Sequence, residues 1–165
     1  MLRVLGVAFL TFVIASAVLI GAGYLAEKRA RTFSESAVRE IFTEWNYEAV
    51  RRSSMKRLRE SPRMNADGPK GLQWGKDGLG PLQSAEKPHG GVAISWGSFD
   101  DPHWFSGQYD FIGHFKNGQA DLEISVVWED RAWRISNYRF HSSALHELPS
   151  EKRPANKSLE RTPGG

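Results

Sequence analysis

Residues 107–142 read GQYDFIGHFKNGQADLEISVVWEDRAWRISNYRFHS and contain three segments in which apolar and polar side chains alternate. A period of two is typical of β-strands that are buried on one face. An Asn-Gly pair at 117–118 separates the first two segments, and it tolerates the positive φ angles of a tight hairpin turn. A second turn is predicted at Glu129-Asp130-Arg131-Ala132. The stretch therefore predicts three antiparallel strands joined by hairpins.

The alternation also predicts which side chains face the core. Four titratable residues have the parity opposite to the large apolar residues of their strands, so we expect them on a solvated face. They are Asp110, His114, Asp121 and Glu123. In the last strand, Tyr138 and Phe140 have the opposite parity to Trp133 and Ile135. A β-bulge near Ser136 or Asn137 would return them to the inner face.

Upstream of these strands, the sequence predicts one more strand and one long amphipathic helix. Val92, Ile94 and Trp96 alternate with small residues, which completes a four-stranded meander. Thr32 and Glu35 have the spacing of a capping box, and apolar residues then recur at helical spacing. We expect a helix that begins there, breaks near Ser53-Ser54 and ends before Pro62.

Between that helix and the sheet, residues 63–91 are rich in glycine and proline. Such a composition favours loops, with at most one short helical turn. The C-terminal residues 147–165 contain three prolines and many charges but no periodic apolar positions. We expect this tail to be disordered.

The N-terminal residues 4–26, VLGVAFLTFVIASAVLIGAGYLA, include no charged side chain. As a helix they would measure about 35 Å, enough to cross a hydrocarbon core of about 30 Å. The interpretation is a transmembrane helix that acts as a signal anchor, with a cleaved signal peptide as the alternative. We expect a single-pass protein of the inner (cell) membrane with an exported, periplasmic domain, although Lys28, Arg29 and Arg31 favour the cytoplasm under the positive-inside rule.

Charge is distributed unevenly along the chain, whose formal net charge is +3. Residues 51–63 hold six basic side chains and one acidic one, whereas residues 100–147 hold eight acidic and four basic ones. The basic segment is either a solvated helix face or a contact for anionic lipid. The residues of the lipid-contact hypothesis are Arg51, Arg52, Lys56, Arg57 and Arg59. Stacking aromatics are not interleaved with these cations, so nucleic acid is not an expected partner.

Two further sets of residues are candidates for binding. Aromatic side chains of the predicted helix and sheet would either fill the core or line an apolar ligand pocket. The pocket hypothesis names Trp45, Trp96, Tyr109, Phe111 and Trp128. The loop before residue 107 combines acidic and aromatic residues, which suits a protein contact unless its rings fold onto the core. Its candidates are Asp100, Asp101, His103, Trp104 and Phe105.

The sequence contains no pattern that we assign to catalysis. The acidic residues of the strands are expected on the solvated face, away from any internal pocket. The five histidines lack the spacing of a zinc site, and the glycine run at 75–80 lacks the features of a phosphate-binding loop. We therefore expect no catalytic residues, no metal and no cofactor.

The order of these elements, and in particular the Asn-Gly hairpin followed by Trp133-Arg134-Ile135 and a late Tyr138, resembles nuclear transport factor 2-like domains, a cystatin-like α+β roll. The resemblance covers residues 33–143 and implies a long helix packed on a curved antiparallel sheet. Small exported proteins of this group also share the Gly80-Pro81-Leu82 segment. The fold hosts enzymes, binding modules and assembly subunits, so it implies no single activity.

Together these observations predict three parts: a membrane anchor at 4–26, an α+β domain at 33–143 and a disordered tail at 147–165. The expected function is a membrane-anchored, non-catalytic binding or assembly domain. Its partner would be another envelope protein or a second copy of the chain. The alternatives are a small isomerase- or cyclase-like enzyme with an apolar pocket, and lipid contact through 51–63.

Overall fold

The computed structural model of this chain describes residues 2–94 and 105–146. Within these ranges it describes the side chains of all residues except 2–11, 15, 17–19, 94 and 146. It is an α+β structure, as the sequence predicts. In chain order, the elements are α1 (Leu2–Glu44), α2 (Tyr47–Ser53), α3 (Lys56–Arg59), α4 (Pro62–Leu79), β1 (Leu82–Ala85), β2 (His89–Ile94), β3 (Phe105–Phe115), β4 (Gly118–Glu129), β5 (Ala132–His141) and α5 (Ser143–His146).

The sheet is antiparallel and has five strands rather than the four predicted. Its order is β1-β3-β4-β5, and β2 also pairs with β3. β1 pairs with the last residues of β3, where Leu82 is opposite Phe115, and β2 pairs with the first ones, where Ile94 is opposite Phe105. β1 and β2 therefore follow one another along the same edge of β3. The prediction missed β1 because this strand is only four residues long and lies in the segment expected to be loop.

Both predicted hairpin turns and the predicted bulge are confirmed. Gly118 begins β4 with a φ of 151° after a two-residue turn. At the second turn, Asp130 and Arg131 both have positive φ, 49° and 61°, as a tight hairpin requires. In the pairing of β4 with β5, Ser125 is opposite Asn137 whereas Val126 is opposite Ile135, so Ser136 is the extra residue.

The strands bury one face, here called the inner face, and expose the other, called the outer face. Burial alternates along β3 and β4 in the predicted phase, and Asp110, His114, Asp121 and Glu123 all lie on the outer face. α1 covers the inner face, and its buried side chains pack with those of the strands in one core. The core residues from α1 are Ala30, Ala37, Val38, Ile41 and Phe42.

The predicted separation between a membrane helix and an amphipathic helix is wrong, because α1 runs without interruption from Leu2 to Glu44. Thr32 does not cap a helix. Its hydroxyl donates to the Lys28 carbonyl at 3.0 Å, and the Ser34 hydroxyl donates to the Ala30 carbonyl at 2.9 Å. Both bonds run back by four residues, within a helix that contains neither Gly nor Pro after position 23.

The helix ends earlier than predicted, at Glu44, and the next residue, Trp45, has a left-handed φ of 56°. Asn46 then begins α2, since its side-chain oxygen accepts a hydrogen bond from the Ala49 amide at 3.1 Å. The predicted break near Ser53-Ser54 is confirmed. Ser54 forms a parallel bridge with Ile135, and this contact fixes the chain beside β5.

The largest correction concerns residues 63–91, which are not mainly loop. Pro62 begins the 18-residue helix α4, because a proline at the first helical position needs no amide partner. The glycines of α4 permit close packing instead of turns. A Cβ atom at Gly68 would lie 2.8 Å from the Tyr47 ring, and one at Gly75 would lie 2.3 Å from the Trp45 ring.

The uncharged stretch 4–26 lies entirely within α1. Among the residues that the structure describes, no helix is both long enough and apolar enough to cross a membrane, so the predicted transmembrane helix stays a prediction. The predicted tail at 147–165 and Trp96 lie outside the described residues.

A substitution in α4 tests the close packing against Trp45. We expect Gly75→Ala to lower the free energy of unfolding by about 1–3 kcal/mol, because the added methyl group would meet a rigid ring in the core. Gly71→Ala is the matched control. A Cβ atom there meets nothing within 4 Å, so alanine should stabilise the helix by up to about 1 kcal/mol. Chemical denaturation of both variants measures the difference, and equal effects would contradict the assigned packing.

Candidate functional site

One end of the inner face is filled by aromatic rings. Trp45 is 6% exposed and contacts Phe42, Phe115 and Phe140, with ring centroids 5.2 to 5.4 Å apart. Its indole N–H donates to the Gly80 carbonyl at 2.7 Å. The left-handed backbone at Trp45 directs the chain away from α1 at this point. Trp45 therefore serves as a core residue whose polar atom is also satisfied.

The other residues of the pocket hypothesis lie elsewhere along the sheet. Tyr109 and Phe111 are buried near the middle of β3. Trp128 lies near the end of β4, where its ring is 5.5 Å from that of Trp133. Ten residues of β4 separate Trp128 from the turn beside Phe115, a distance of about 34 Å. The structure therefore does not bring Trp45 and Trp128 together in one pocket.

A polar cluster links α1 to the sheet between these two ends. The Glu27 carboxylate accepts hydrogen bonds from the Val92 amide at 2.7 Å and from the Tyr109 hydroxyl at 3.1 Å. Its other oxygen accepts from the Arg31 guanidinium at 2.9 and 3.2 Å. Charge-assisted bonds of this kind are the stronger class of hydrogen bond. One carboxylate thus connects α1 to β2 and β3.

This cluster also affects Tyr109 itself. Burial, together with the charge and the hydrogen bond of Glu27, raises the pKa of the Tyr109 hydroxyl above its usual range. The hydroxyl therefore remains a donor to Glu27 at neutral pH. Arg31 belongs to α1 itself, whereas the Val92 amide and the Tyr109 hydroxyl hold β2 and β3 to α1, so we assign the cluster a structural role.

On the outer face, charged side chains form cross-strand rows. His89, Asp110, Glu123 and Arg139 are directly opposite one another on four strands. The two acids in the middle repel each other, and the Arg139 guanidinium at one end of the row offsets part of that repulsion. Arg139 lies 3.9 Å from Glu123. The next row contains Ile112, Asp121 and His141.

A third outer-face group surrounds His114. Its Nε2 lies 3.0 Å from a Glu86 carboxylate oxygen, and its Nδ1 lies 3.0 Å from the Gln119 amide nitrogen. An amide nitrogen only donates, so Nδ1 accepts and the Nε2–H donates to Glu86. These contacts connect β3 to Gln119 of β4 and to Glu86, which follows β1. Among the described residues, no group of three or more His, Cys, Asp or Glu side chains could hold a metal ion.

The basic segment is partly neutralised by α1 and α2. Arg52 forms an ion pair with Glu40, and Arg51 pairs with Glu48 at 3.4 Å. Of the other lipid-contact candidates, Lys56 and Arg57 are exposed and Arg59 is half-buried. The Lys56 amide donates to the Glu129 carboxylate at 3.0 Å, which places this part of the segment beside the turn between β4 and β5.

A cleft of about 260 Å³ lies where α1 passes that turn. Its lining consists of Ala22, Leu25, Ala26, Arg29, Phe105, Trp128 and Trp133. Trp133 is 7% exposed, and its indole nitrogen has no hydrogen-bond partner in the described structure. A buried N–H without a partner is uncommon and costs free energy. The cleft therefore combines apolar walls with one cationic side chain, Arg29.

The predicted partner-contact loop is described only at its last residue. Asp100, Asp101, His103 and Trp104 lie outside the described residues. Phe105 begins β3 and contributes to the cleft. Comparison of the chain with protein-family models, with curated proteins and with solved structures found no match.

Sequence reasoning did not identify Glu27 or the cleft. Glu27 is the first charged residue after the uncharged stretch, and it was expected in a connection between two helices. The helical period of 3.6 residues is one signal in the sequence that could have identified Glu27. Glu27, Ala30, Ser34 and Val38 recur at spacings of three and four and continue the buried stripe of α1.

Removal of the Glu27 carboxylate tests its role in holding α1 to the sheet. We expect Glu27→Ala to lower the free energy of unfolding by about 1–3 kcal/mol, because the Tyr109 hydroxyl and the Val92 amide lose a charged acceptor. Hydrogen exchange at the Val92 amide should accelerate. The control is Glu35→Ala on an exposed position of the same helix, which should change stability by less than about 0.5 kcal/mol. Equal losses in the two variants would exclude the assigned role.

A second prediction concerns alkaline pH. Burial raises the pKa of Tyr138 to about 12, and the nearby Tyr47 adds to the rise. The folded state then holds this proton more tightly than the unfolded chain, whose tyrosine pKa is about 10. Its contribution to stability is complete below about pH 10 and is lost as the pH rises through about 12. In denaturation series over this range, Tyr138→Phe should lose less stability than the unsubstituted chain. An identical loss would show that Tyr138 does not titrate as assigned.

Proposed function

We propose that this chain is a membrane-attached, non-catalytic binding domain, in which the N-terminal part of α1 inserts into lipid. The observation that carries the proposal is the exposure of large apolar side chains on this part of the helix. Those described are Phe12, Val13, Ile14, Ile20, Tyr24 and Leu25, with exposed fractions between 45% and 74%. Exposed apolar side chains gathered on one segment are unfavourable in water and mark a contact with lipid or protein.

Two further observations favour lipid. The uncharged stretch 4–26 is long enough, as a helix, to match the thickness of a hydrocarbon core. Within the rest of the described structure, Ile112 is the only large hydrophobic residue that is similarly exposed. The apolar surface is therefore concentrated on one segment, as expected for an anchor rather than for a general exposure of the core.

The non-catalytic part of the proposal is supported by the position of the titratable groups. The acidic residues of the strands lie on the outer face, whereas α1 and the aromatic rings occupy the inner face. Glu27 does approach the inner face, but its carboxylate is engaged by three side-chain or backbone donors. The long helix on an antiparallel sheet also supports the proposed relation to nuclear transport factor 2-like domains.

The surface that we propose for a partner is the outer face. Its row from His89 to Arg139 has two acids in the middle and a guanidinium at one end, and the adjoining row adds Asp121. Such a pattern fits a protein partner with a complementary polar surface, including another envelope protein or a second copy of this chain.

Substitutions in the exposed part of α1 test the membrane attachment. We expect the unsubstituted chain to enter the detergent phase in a Triton X-114 separation and to resist extraction from membranes by alkaline carbonate. The double variant Ile14→Lys, Ile20→Lys should shift towards the aqueous phase, because charged groups at the centre of a bilayer are costly.

The matched control is Ile112→Lys, since Ile112 is an exposed apolar residue on the sheet. It should leave the partition unchanged, and near-ultraviolet circular dichroism should show that all three proteins are folded. Recovery of the unsubstituted, folded chain from the aqueous phase would overturn the proposal.

A further inference from the structure

The two ends of the sheet differ in what lies beside them. Here the β4–β5 end is defined by the turn at 129–132 together with Phe105, and the β3–β4 end by the turn at 116–117. α1 passes Phe105, Trp128 and Trp133 with residues 22–29 and reaches Phe115 with Phe42. The remaining N-terminal residues of α1 therefore extend past the β4–β5 end.

This arrangement places the β4–β5 end at the level where the uncharged stretch finishes. Ala22, Leu25 and Ala26 belong to that stretch, and they form one wall of the cleft whose other wall is Phe105, Trp128 and Trp133. If α1 inserts into lipid up to Ala26, these rings lie at the boundary between lipid and water. Tryptophan is enriched at that depth because its ring is apolar while its N–H is polar.

Cationic side chains lie in the cleft and near it, together with the acidic residues Glu129 and Asp130 of the β4–β5 turn. Arg29 belongs to its lining, and Arg131 is exposed at the tip of the β4–β5 turn. Lys56 and Arg57 are exposed beside Glu129, to which the Lys56 amide is hydrogen-bonded. Positive groups next to an apolar surface are the combination that binds the headgroups and acyl chains of anionic lipids.

We propose that the β4–β5 end rests on an anionic phospholipid surface, with the cleft in contact with the acyl region and the nearby cations in contact with phosphate groups. This inference depends on the proposed membrane attachment.

Lipid is favoured over a protein as the occupant of the cleft, because the cleft is continuous with the exposed apolar surface of α1. The cleft shares Leu25 with the exposed apolar surface of α1, so one lipid surface covers both without a second partner. The domain would then be held in a fixed orientation, with the β3–β4 end directed away from the headgroups.

The chain has no cysteine, so single cysteines can carry a nitroxide label without background. The experiment uses the full chain with a label at Ala132→Cys, at Lys116→Cys or at Ile20→Cys. These positions report on the β4–β5 end, the β3–β4 end and the proposed anchor. Each protein is placed in nanodiscs of phosphatidylcholine alone or of equimolar phosphatidylcholine and phosphatidylglycerol, and collisions with a water-soluble nickel complex are measured.

We expect the label at position 132 to become several-fold less accessible when phosphatidylglycerol is present, while position 116 stays accessible in both nanodiscs. Position 20 should be inaccessible in both. If position 20 is protected but position 132 remains as accessible as position 116, the docking is wrong and the membrane attachment stands. If position 20 is accessible to the nickel complex, both proposals fail.

A second part of the experiment uses variants that remove a positive charge. Arg131→Asn and Lys116→Asn each remove one positive charge from a two-residue hairpin turn, but at opposite ends of the sheet. Asparagine tolerates the left-handed backbone at position 131, so the turn should be retained. Only Arg131→Asn should reduce the protection of position 132 that phosphatidylglycerol causes. If position 132 is protected equally in nanodiscs with and without phosphatidylglycerol, the cations do not bind the anionic headgroups. The same conclusion follows if Arg131→Asn and Lys116→Asn have equal effects.

Discussion

The contact between α1 and the inner face of the sheet is the interaction on which the rest of the structure depends. The buried stripe of α1 supplies the centre of the core, and the strands bury their alternating apolar residues against it. Because the same helix continues without a break to Leu2, the direction of its N-terminal part is fixed by this packing. The position of the domain relative to the uncharged stretch is therefore a property of the fold, with no flexible connection between them.

Glu27 has a particular place in that contact. It is the charged residue that immediately follows the uncharged stretch, and its carboxylate reaches an edge strand and the Tyr109 hydroxyl. Hydrophobic packing alone permits a helix to slide or rotate on a sheet, whereas these directional bonds define one register. The cleft and the β4–β5 turn owe their position beside Leu25 and Ala26 to this register.

The sequence was sufficient to predict the elements that depend on local patterns. The Asn-Gly turn, the turn at 129–132 and the bulge at Ser136 follow from turn chemistry and side-chain parity, which act over a few residues. The continuation of α1 through Thr32 was not predictable in this way, because Thr32 and Glu35 mimic a helix start while the preceding turn remains helical. The glycines of α4 were misread for a similar reason. Gly68 and Gly75 leave room for the rings of Tyr47 and Trp45, and these contacts join residues that are far apart in the sequence.

For the candidate sites too, local patterns could be predicted from the sequence, but contacts between distant residues could not. Residue type and parity correctly placed Asp110, His114, Asp121 and Glu123 on the outer face. They could not show that Trp45 and Trp128 lie at opposite ends of the sheet, or that Lys56 lies beside Glu129.

The edge of the sheet formed by β1 and β2 affects how the sheet can pair with other chains. Between β1 and β2 the regular pairing is interrupted at 86–88, where the Glu86 amide still donates to the Ile112 carbonyl but Pro88 has no amide hydrogen, so this edge is a poor template for a regular ladder with a neighbouring chain. On the opposite side, the bridge between Ser54 and Ile135 occupies part of β5. Both edges of the sheet are therefore interrupted or partly covered, which disfavours strand addition by another chain.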